Sequence, residues 1–438
     1  MELAGKRIAL LGGTFISCEI VKAAHDLGME VHVLDYNPPS ESPAKLIADA
    51  HAQISIADAD AVASYVRDNG IDGLMTGYTD SILGFYARAC DAAGLPCYGT
   101  KEQFDTFTDK RKWKELCAKY RVPTARQYEV GDAEDRLEDV CYPVLVKPAD
   151  GSGSRGVSVV REAGEFGPAL NRAREFSKCG EVVVEDYLEG PEVTVFWLFV
   201  NGVKRVFMLG NRVVKDSQGG AMPLPVGYTF PASVLPRYLD EVAPHVDEML
   251  ESQGVRNGMM FMQCIVRDGI PHVYDIGYRL TGSLEHYLTK EVAGYSPVDM
   301  LLHYAVTGKM TDDSAIWDKV ERVLYAPCYN VSFLMKPGTI ASFRGLDKLA
   351  SIPSVVAVVK AHVEGETLPE EALGELRQIA LRVLGVTDGI SALRSEIMNV
   401  QSTLDIIGDD DESLVLPGFA EHECTANVIE RNRYFSIF

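Results

Sequence analysis

The stretch that decides the fold is Tyr142–Val160, YPVLVKPADGSGSRGVSVV. An apolar strand ends in Lys147, a loop of small residues follows, and a second apolar strand begins after Gly156. Glycine and serine leave backbone N–H groups unshielded, so a polyphosphate can approach the chain closely. Lys147, fixed at a strand end, would supply a point charge to those phosphates. The segment predicts nucleotide binding; the alternative is a glycine-rich hairpin with an exposed lysine.

A second strand pair lies further along, in Glu181–Val195, EVVVEDYLEGPEVTV. Its acidic connector exposes backbone N–H and C=O groups in one plane, which suits the edge of a purine. A carboxylate beside the connector can accept a hydrogen bond from an amino group or a ribose hydroxyl. Acidic connections between strands are common, so this segment supports nucleotide binding only in combination with the first.

The third segment is Phe261–Gly282, FMQCIVRDGIPHVYDIGYRLTG, which predicts two strands around the turn Asp268–Gly269. In such a hairpin Gln263 and Asp275 lie on adjacent strands and can point to one face. Oxygen ligands from two neighbouring strands, completed by phosphates and water, suit Mg²⁺. The alternative is structural, with Asp275 pairing with Arg279 at the strand end.

The first hundred residues alternate strand-like and helix-like segments. This alternation predicts a parallel sheet with helices on both faces. The segments are Arg7–Leu11, Ser17–Leu27, Val31–Asp35, Asp58–Asn69, Gly73–Thr76 and Ser81–Ala93.

Two other nucleotide motifs fail on inspection. Gly12 and Gly13 follow the first strand and Asp35 ends the next, which is half of a dinucleotide-binding fingerprint, but the third glycine is missing from Thr14–Ser17. We therefore expect a structural tight turn or a substrate-facing loop there, with an NAD-dependent oxidoreductase as the weaker interpretation. The phosphate-binding pattern G-x-x-x-x-G-K-[S/T] is absent from the sequence.

The remainder of the chain changes character along its length. A charged helix is predicted over Asp109–Tyr120, followed by a strand-rich middle that indicates an α+β region on an antiparallel sheet. Residues 215–231, with their glycines and prolines, have the composition of a loop. Beyond Val323 we expect short strands, one helix around Pro369–Leu384, and a solvated turn at the acidic run Asp409–Glu412, where a metal site is the weaker alternative.

Composition narrows the class of protein. The 438 residues are 47% hydrophobic and 24% charged, and the net charge of −21 opposes a nonspecific nucleic-acid or anionic-membrane surface. The nine cysteines include no C-x-x-C pair and are expected to be reduced, mostly buried thiols of a cytoplasmic protein. The N-terminus predicts a first strand and not a signal peptide, and no apolar run of about 18 residues predicts a membrane span.

In order and spacing, the three segments resemble the ATP-grasp superfamily over roughly residues 5–310. The resemblance implies an α/β and α+β fold: a flavodoxin-like N-terminal domain, a two-subdomain ATP-grasp fold and a small β-rich C-terminal domain. The implied domains are residues 1–100, 101–315 (with subdomains 102–190 and 191–315) and 316–438.

The resemblance also implies the roles of individual residues. Lys147 and Arg279 would be catalytic, and Gln263 and Asp275 would bind the metal ion, Mg²⁺ or Mn²⁺. Lys112 and Lys114 lie close enough to the first nucleotide lysine to compete for its role. The residues implied to bind ATP are Lys110, Lys147, Gly151, Ser152, Gly153, Ser154, Gly156, Glu185, Tyr187, Leu188 and Glu192.

By resemblance, the function is an ADP-forming ligase that phosphorylates a small carboxylic acid and transfers the acyl group to an amine. The sequence around Gly338 resembles the closing domain of biotin carboxylases and L-amino acid ligases. This resemblance favours an amino acid or another small carboxylic acid as the substrate. The chain departs from the family pattern Glu-x-Asn-Pro-Arg, because Asp275–Arg279 carries Gly277 in place of the asparagine. A noncatalytic or regulatory nucleotide-binding module is therefore the alternative, and a homodimer is compatible with either.

Overall fold

The computed structural model describes residues 3–128, 140–150, 156–216 and 223–429. Helices and strands are numbered below in chain order. Within residues 3–94 the chain forms a parallel sheet with helices against it. Its elements are β1 (Arg7–Leu11), α1 (Cys18–Asp26), β2 (Glu30–Asp35), β3 (Ala50–Gln53), α2 (Ala59–Asn69), β4 (Gly73–Thr76) and α3 (Leu83–Ala93). The strand order is β3-β2-β1-β4, so the predicted parallel sheet is confirmed.

A second, antiparallel sheet with the order β5-β8-β6-β7 lies between residues 127 and 186. Its apolar face, which includes Val144, Val146 and Val184, packs against one helix. The elements of this region are α4 (Lys101–Thr108), α5 (Lys110–Tyr120), β5 (Gln127–Tyr128), β6 (Val144–Pro148), β7 (Ser158–Val160), α6 (Phe166–Phe176) and β8 (Val182–Asp186). The predicted charged helix is confirmed as α5, and its N-cap Asp109 accepts a hydrogen bond from Arg111 N–H at 2.9 Å.

A large antiparallel sheet dominates the rest of the structure. Its first strands and the helices packed on them are β9 (Glu192–Val200), β10 (Val203–Lys215), β11 (Leu224–Phe230), α7 (Leu235–Arg237), α8 (Ala243–Ser252), β12 (Gly258–Arg267), β13 (Ile270–Gly277), α9 (His286–Ala293), α10 (Pro297–Thr307) and α11 (Ile316–Leu324). The C-terminal elements are β14 (Cys328–Leu334), β15 (Gly338–Arg344), α12 (Leu346–Leu349), β16 (Val355–Lys360), β17 (Thr367–Leu368), β18 (Ile379–Val386), α13 (Ile390–Thr403) and β19 (Asp405–Gly408).

The C-terminal strands do not all form a separate sheet. Among the described residues, β14, β18 and β16 extend the large sheet, which has the order β13-β12-β9-β10-β11-β14-β18-β16. The remaining strands form a small sheet, β17-β15-β19, whose side chains share a second hydrophobic core with α13. The large sheet therefore connects the central and C-terminal parts of the chain through continuous backbone hydrogen bonding.

One row of the large sheet carries polar side chains across four neighbouring strands. Glu192 pairs with Arg212, Arg212 with Tyr228, and Tyr228 with Asn330. Directly opposed residues on neighbouring strands point to the same face. On that face, therefore, a polar row runs from β9 to β14.

Two sequence predictions of secondary structure are wrong. The predicted loop at 215–231 contains β11, a strand inside the large sheet, while residues 217–222 lie outside the described part. The predicted helix around Pro369–Leu384 is replaced by β18, and the long helix of this region is α13. The acidic run Asp409–Glu412 is an exposed turn, as expected, with Asp411 paired to Arg344.

The glycine turn after β1 is held by the neighbouring acid. Gly13 N–H donates to Asp35 Oδ2 at 2.7 Å, and a Cβ at Gly13 would lie 1.9 Å from Ser42 Oγ. The carboxylate is therefore occupied by the turn itself, which favours the structural interpretation over dinucleotide binding.

Two expectations from composition can be compared with the structure. All nine cysteines are free thiols and six of them are buried, as predicted. In the part of the chain that the structure describes, no helix is long and apolar enough to cross a membrane.

Candidate nucleotide and metal site

A cleft of about 770 Å³ separates the small antiparallel sheet from the large one. One wall comes from α5 and β6, and the other from β12 and β13 with the segment that follows β13. The predicted site residues that line the cleft are Lys110, Lys147, Gln263, Asp275 and Arg279. The structure therefore brings together residues that are up to 169 positions apart in the sequence.

Lys147 is part of a buried charge cluster at the end of β6. Its Nζ donates to Glu185 Oε1 at 2.5 Å, and Lys114 Nζ forms an ion pair with the other carboxylate oxygen. Burial acts to raise the pKa of Glu185, but the two lysines outweigh it and the pKa is lowered. Glu185, which is 1% exposed, is thus held as a carboxylate that fixes Lys147 beside the cleft.

Lys110 begins α5 and faces the opposite wall of the cleft. Its backbone N–H donates to Ala149 O at 3.2 Å, which ties the start of the helix to the segment after β6. Burial lowers the pKa of Lys110, and Asp275 is the largest opposing influence. Of the three candidate lysines, Lys110 lines the cleft, Lys114 binds Glu185, and Lys112 is exposed.

The two predicted metal ligands face each other across one hairpin. Gln263 on β12 and Asp275 on β13 lie on adjacent strands, as predicted, and a register shift between Gln263 and Cys264 makes them direct partners. Burial raises the pKa of Asp275, and the nearby Lys110 is the largest opposing influence. A bound divalent cation would favour the ionised carboxylate further. Among the described residues, no group of three or more His, Cys, Asp or Glu side chains is arranged to hold a metal ion.

Arg279 binds an acid that the sequence did not single out. Its Nε and Nη2 donate to the two carboxylate oxygens of Asp80 at 2.7 and 2.6 Å. The predicted structural pairing of Arg279 with Asp275 is therefore wrong. Asp80 follows β4 of the N-terminal sheet, so this fork joins that sheet to the cleft.

Phe261 explains why residue 277 is glycine. The two residues are register partners on β12 and β13, and a Cβ at Gly277 would lie 2.2 Å from the Phe261 ring. The guanidinium carbon of Arg279 lies over this ring, 5.0 Å from its centre. An aromatic side chain thus fills the space that an asparagine at position 277 would need, so the residues present fit one cation better than two.

The glycine-rich loop is only partly described. Gly151, Ser152, Gly153 and Ser154 lie outside the described residues. Gly156 is buried with a φ of +72°, and a Cβ there would lie 2.6 Å from Phe176 Cβ. Only glycine fits this position, because both the backbone angle and the aromatic contact exclude a side chain.

The remaining predicted ATP contacts lie outside the lining of the cleft. Tyr187 N–H donates to Pro143 O at 3.1 Å, and Leu188 is buried. Glu192 is ion-paired with Arg212 and accepts a hydrogen bond from Tyr274 Oη at 2.8 Å. Their contacts with adenine and ribose stay predictions.

Residues 140–276 match the family model of the ATP-grasp domain. This segment of the chain is an ATP-grasp domain. The predicted fold class is confirmed by structural neighbours that cover nearly the whole chain.

Two solved structures show this ATP-grasp fold. The L-amino acid ligase of Bacillus licheniformis has a TM-score of 0.74 at 20% identity, covering 93% of this chain and 99% of that one. The biotin carboxylase domain of 2-oxoglutarate carboxylase from Hydrogenobacter thermophilus, solved with MgADP, has a TM-score of 0.73 at 17% identity, covering 94% of this chain and 91% of that one.

A curated relative matches in sequence. The chloroplastic phosphoribosylamine–glycine ligase of Arabidopsis thaliana is 25% identical over 353 residues, or 76% of this chain. The chain spans 65% of the length of that relative and 48% of the small subunit of 2-oxoglutarate carboxylase from Hydrogenobacter thermophilus.

Sequence reasoning missed Asp80, Lys114 as a partner of Glu185, and Arg212. Asp80 carried a usable signal, because it closely follows a parallel strand, at whose carboxyl end ligand crevices form. Arg212 carried no local signal. Its place in the site depends on the strand order β13-β12-β9-β10, which brings Glu192 and Tyr274 to Arg212.

Proposed function

We propose that the protein is an ATP-dependent, ADP-forming ligase that phosphorylates a small carboxylic acid and transfers the acyl group to an amine. The observation that carries the proposal is the cleft itself, with Lys147 and Lys110 on one wall and Asp275 and Arg279 on the other. Cations and oxygen ligands placed in this way suit a triphosphate that reacts at its γ-phosphorus. The names of the Arabidopsis relative and the Bacillus neighbour, both ligases, support it.

In the proposed reaction a carboxylate oxygen attacks the γ-phosphorus of ATP, the bond from that phosphorus to the ADP oxygen breaks, and an acyl phosphate forms. Lys147 and Lys110 would neutralise the phosphate charge, and Arg279 would hold the phosphoryl group during transfer. The neutral amine then attacks the acyl carbon, the bond from that carbon to the phosphate oxygen breaks, and the proton lost by the nitrogen leaves with inorganic phosphate. The side chains act by holding the reactants together and keeping water from the acyl phosphate.

Gln263 and Asp275 would hold one Mg²⁺, or Mn²⁺ in its place. An amide oxygen and a carboxylate on paired strands are a suitable partial ligand set, which phosphates and water complete. Mg²⁺ bound there would supply charge neutralisation to the phosphates.

The direct test is a screen for ADP and inorganic phosphate with Mg-ATP, small acids and amines. We expect release that requires both an acid and an amine, and no AMP. ATP binding is measured in the same samples with a fluorescent nucleotide. AMP formation, or ADP release that no acid stimulates, would rule out the ligase.

The second candidate is a noncatalytic nucleotide-binding module, which the ring of Phe261 at the Gly277 position favours. It predicts tight nucleotide binding without turnover for every acid and amine pair. Introducing the missing asparagine with Gly277→Asn, and making room for it with Phe261→Thr, separates the two hypotheses. Under the ligase hypothesis the wild type already turns over, whereas under the module hypothesis only the double variant gains activity.

The domain boundaries at residues 100 and 315 are part of the proposal, as are small-molecule substrates, a cytoplasmic location, and no role for nucleic acid or membrane. Strands from both sides of residue 315 belong to one sheet, so we expect the ATP-grasp and C-terminal parts to move as one body. Limited proteolysis with nucleotide present would locate the boundaries.

A further inference from the structure

Beyond the nucleotide cleft, the polar face of the large sheet carries buried atoms without hydrogen-bond partners among the described residues. They include Glu285 Oε1, Asn330 Oδ1 and Arg212 Nε. Glu285 is 3% exposed and Asn330 is fully buried. Native proteins satisfy most buried polar atoms, so a group of unsatisfied ones indicates a missing ligand or ordered water.

The unsatisfied acceptors lie together beside the segment that precedes α9. Thr281 Oγ1 donates to Glu285 Oε2 at 2.9 Å, which leaves Oε1 available. Asn330 Nδ2 donates to Ser283 O at 2.6 Å, so the amide orientation is fixed and Oδ1 points elsewhere. Two acceptors, one of them a carboxylate, suit a primary ammonium group, which has a positive charge and three N–H donors.

The unsatisfied donor lies beside a second arginine. Arg212 is ion-paired with Glu192 through Nη1, and its Nε remains without a partner. Arg382 donates to Ser332 Oγ at 2.5 Å and lies within electrostatic range of both Arg212 and Glu285. Two guanidinium groups with an unused N–H suit a carboxylate, which accepts hydrogen bonds from such forks.

The register of the sheet sets the distance between the acceptors near Asn330 and the arginine donors. Arg212, Tyr228 and Asn330 lie in one row on three successive strands, so the backbones of β10 and β14 are roughly 10 Å apart. Arg382 is paired with Ser332 one step further along β14, on the same face. Arg212 also lines the nucleotide cleft, so the two sites adjoin.

We propose that this face binds an α-amino acid, with its ammonium group at Glu285 and Asn330 and its carboxylate at Arg212 and Arg382. The inference rests on the proposed ligase function and names its acid substrate. In an ammonium group the electron pair of the nitrogen is used in an N–H bond, so this nitrogen cannot attack an acyl phosphate. The amino acid held here therefore supplies the acyl group, and the attacking amine belongs to the other substrate.

The test is calorimetric binding of each proteinogenic L-amino acid in turn to the full chain, with a nonhydrolysable ATP analogue present. We expect at least one to bind. Its des-amino acid and its decarboxylated amine should each bind about tenfold more weakly or worse, because each lacks one charged group. Absence of binding by every amino acid to protein that binds the analogue would overturn the site.

Glu285→Gln should weaken amino-acid binding about tenfold or more while the affinity for the ATP analogue stays unchanged. The matched control is Asp299→Asn, the same acid-to-amide change at a carboxylate on α10 that is paired with Lys290, and it should alter neither affinity. If Glu285→Gln fails to fold, Arg382→Gln tests the carboxylate side, with the same loss expected.

The outcomes separate this inference from the ligase proposal. A des-amino acid that binds as tightly as the amino acid and still drives ADP release would overturn the amino-acid site and leave the ligase standing. Amino-acid binding that is unchanged in both Glu285→Gln and Arg382→Gln would also overturn the site. Amino-acid binding without acid-dependent ADP release would support the site and count against the ligase.

Discussion

Lys147→Met tests whether the buried lysine acts on the nucleotide or only on the fold. The change removes one of two lysines from Glu185, a carboxylate that is 1% exposed. Breaking a buried pair completely costs about 3–5 kcal/mol, but Lys114 remains on the other oxygen, so we expect a loss of about 2 kcal/mol in the free energy of unfolding. The corresponding fall in Tm is a few degrees, small enough for the variant to stay folded at 25 °C.

Activity should change far more than stability. Removing one charged group aimed at a transferring phosphoryl group costs roughly 10²–10³ in kcat. Glu185→Gln and the double variant Lys147→Met/Glu185→Gln complete a thermodynamic cycle. If the lysine serves only to pair with Glu185, the double variant recovers turnover, whereas a lysine that binds phosphate leaves it inactive. Turnover of Lys147→Met within about threefold of wild type would refute the assignment.

Three further predictions follow from single contacts. Gly277→Asn should lower the free energy of unfolding by about 1–3 kcal/mol in chemical denaturation, because its Cβ meets the Phe261 ring. The same change should cost less in a Phe261→Ala background, and an equal cost in both backgrounds would contradict the clash. Asp80→Asn should lower kcat more than nucleotide affinity in steady-state assays, because it loosens the fork on Arg279; equal effects on both would contradict a positioning role. Burial lowers the pKa of His286 to about 3, below the 6.5 of an unfolded histidine. The contribution of this neutral histidine to the free energy of unfolding is therefore complete above pH 6.5 and falls by about 1.4 kcal/mol for each pH unit from 6.5 towards 3. His286→Phe should flatten this pH dependence in urea titrations, and a pH dependence equal to that of the wild type would contradict the assignment.

The parts of the site that were predictable from sequence are those fixed by local geometry. The hairpin around Asp268–Gly269 puts Gln263 and Asp275 on adjacent strands, and a strand end fixes Lys147. The register shift between Gln263 and Cys264, which makes Gln263 and Asp275 direct partners, was not predictable from the spacing. Asp80 carried a signal in its place after β4, but its partner Arg279 comes from a distant part of the chain. Arg382 reaches the polar face only through the assembly of distant strands, which no spacing in the sequence encodes. The adenine and ribose contacts at Glu185–Glu192 rest on the acidic connector between two strands and on the resemblance, and they stay predictions.

The errors in secondary structure have specific causes. Residues 215–231 have a loop-like composition, yet Gly227 is required inside β11, because a Cβ there would lie 2.0 Å from Asn330 O on the neighbouring strand. Pro225 lies next to the point where the register between β10 and β11 shifts, a position at which a strand tolerates proline. Residues 379–386 are strand because they pair with β14 on one side and β16 on the other. Tertiary pairing overrides local preference in both segments.

The most direct test of the central claim is the fate of the oxygen atoms of the acid. The protein is incubated with Mg-ATP, an amine and an acid labelled with ¹⁸O in its carboxylate, and the inorganic phosphate is analysed by mass spectrometry. An acyl phosphate transfers one carboxylate oxygen to phosphate, so we predict one ¹⁸O atom in each phosphate released. Unlabelled phosphate accompanying ADP would mean that water attacks ATP directly, and the ligase account would be wrong.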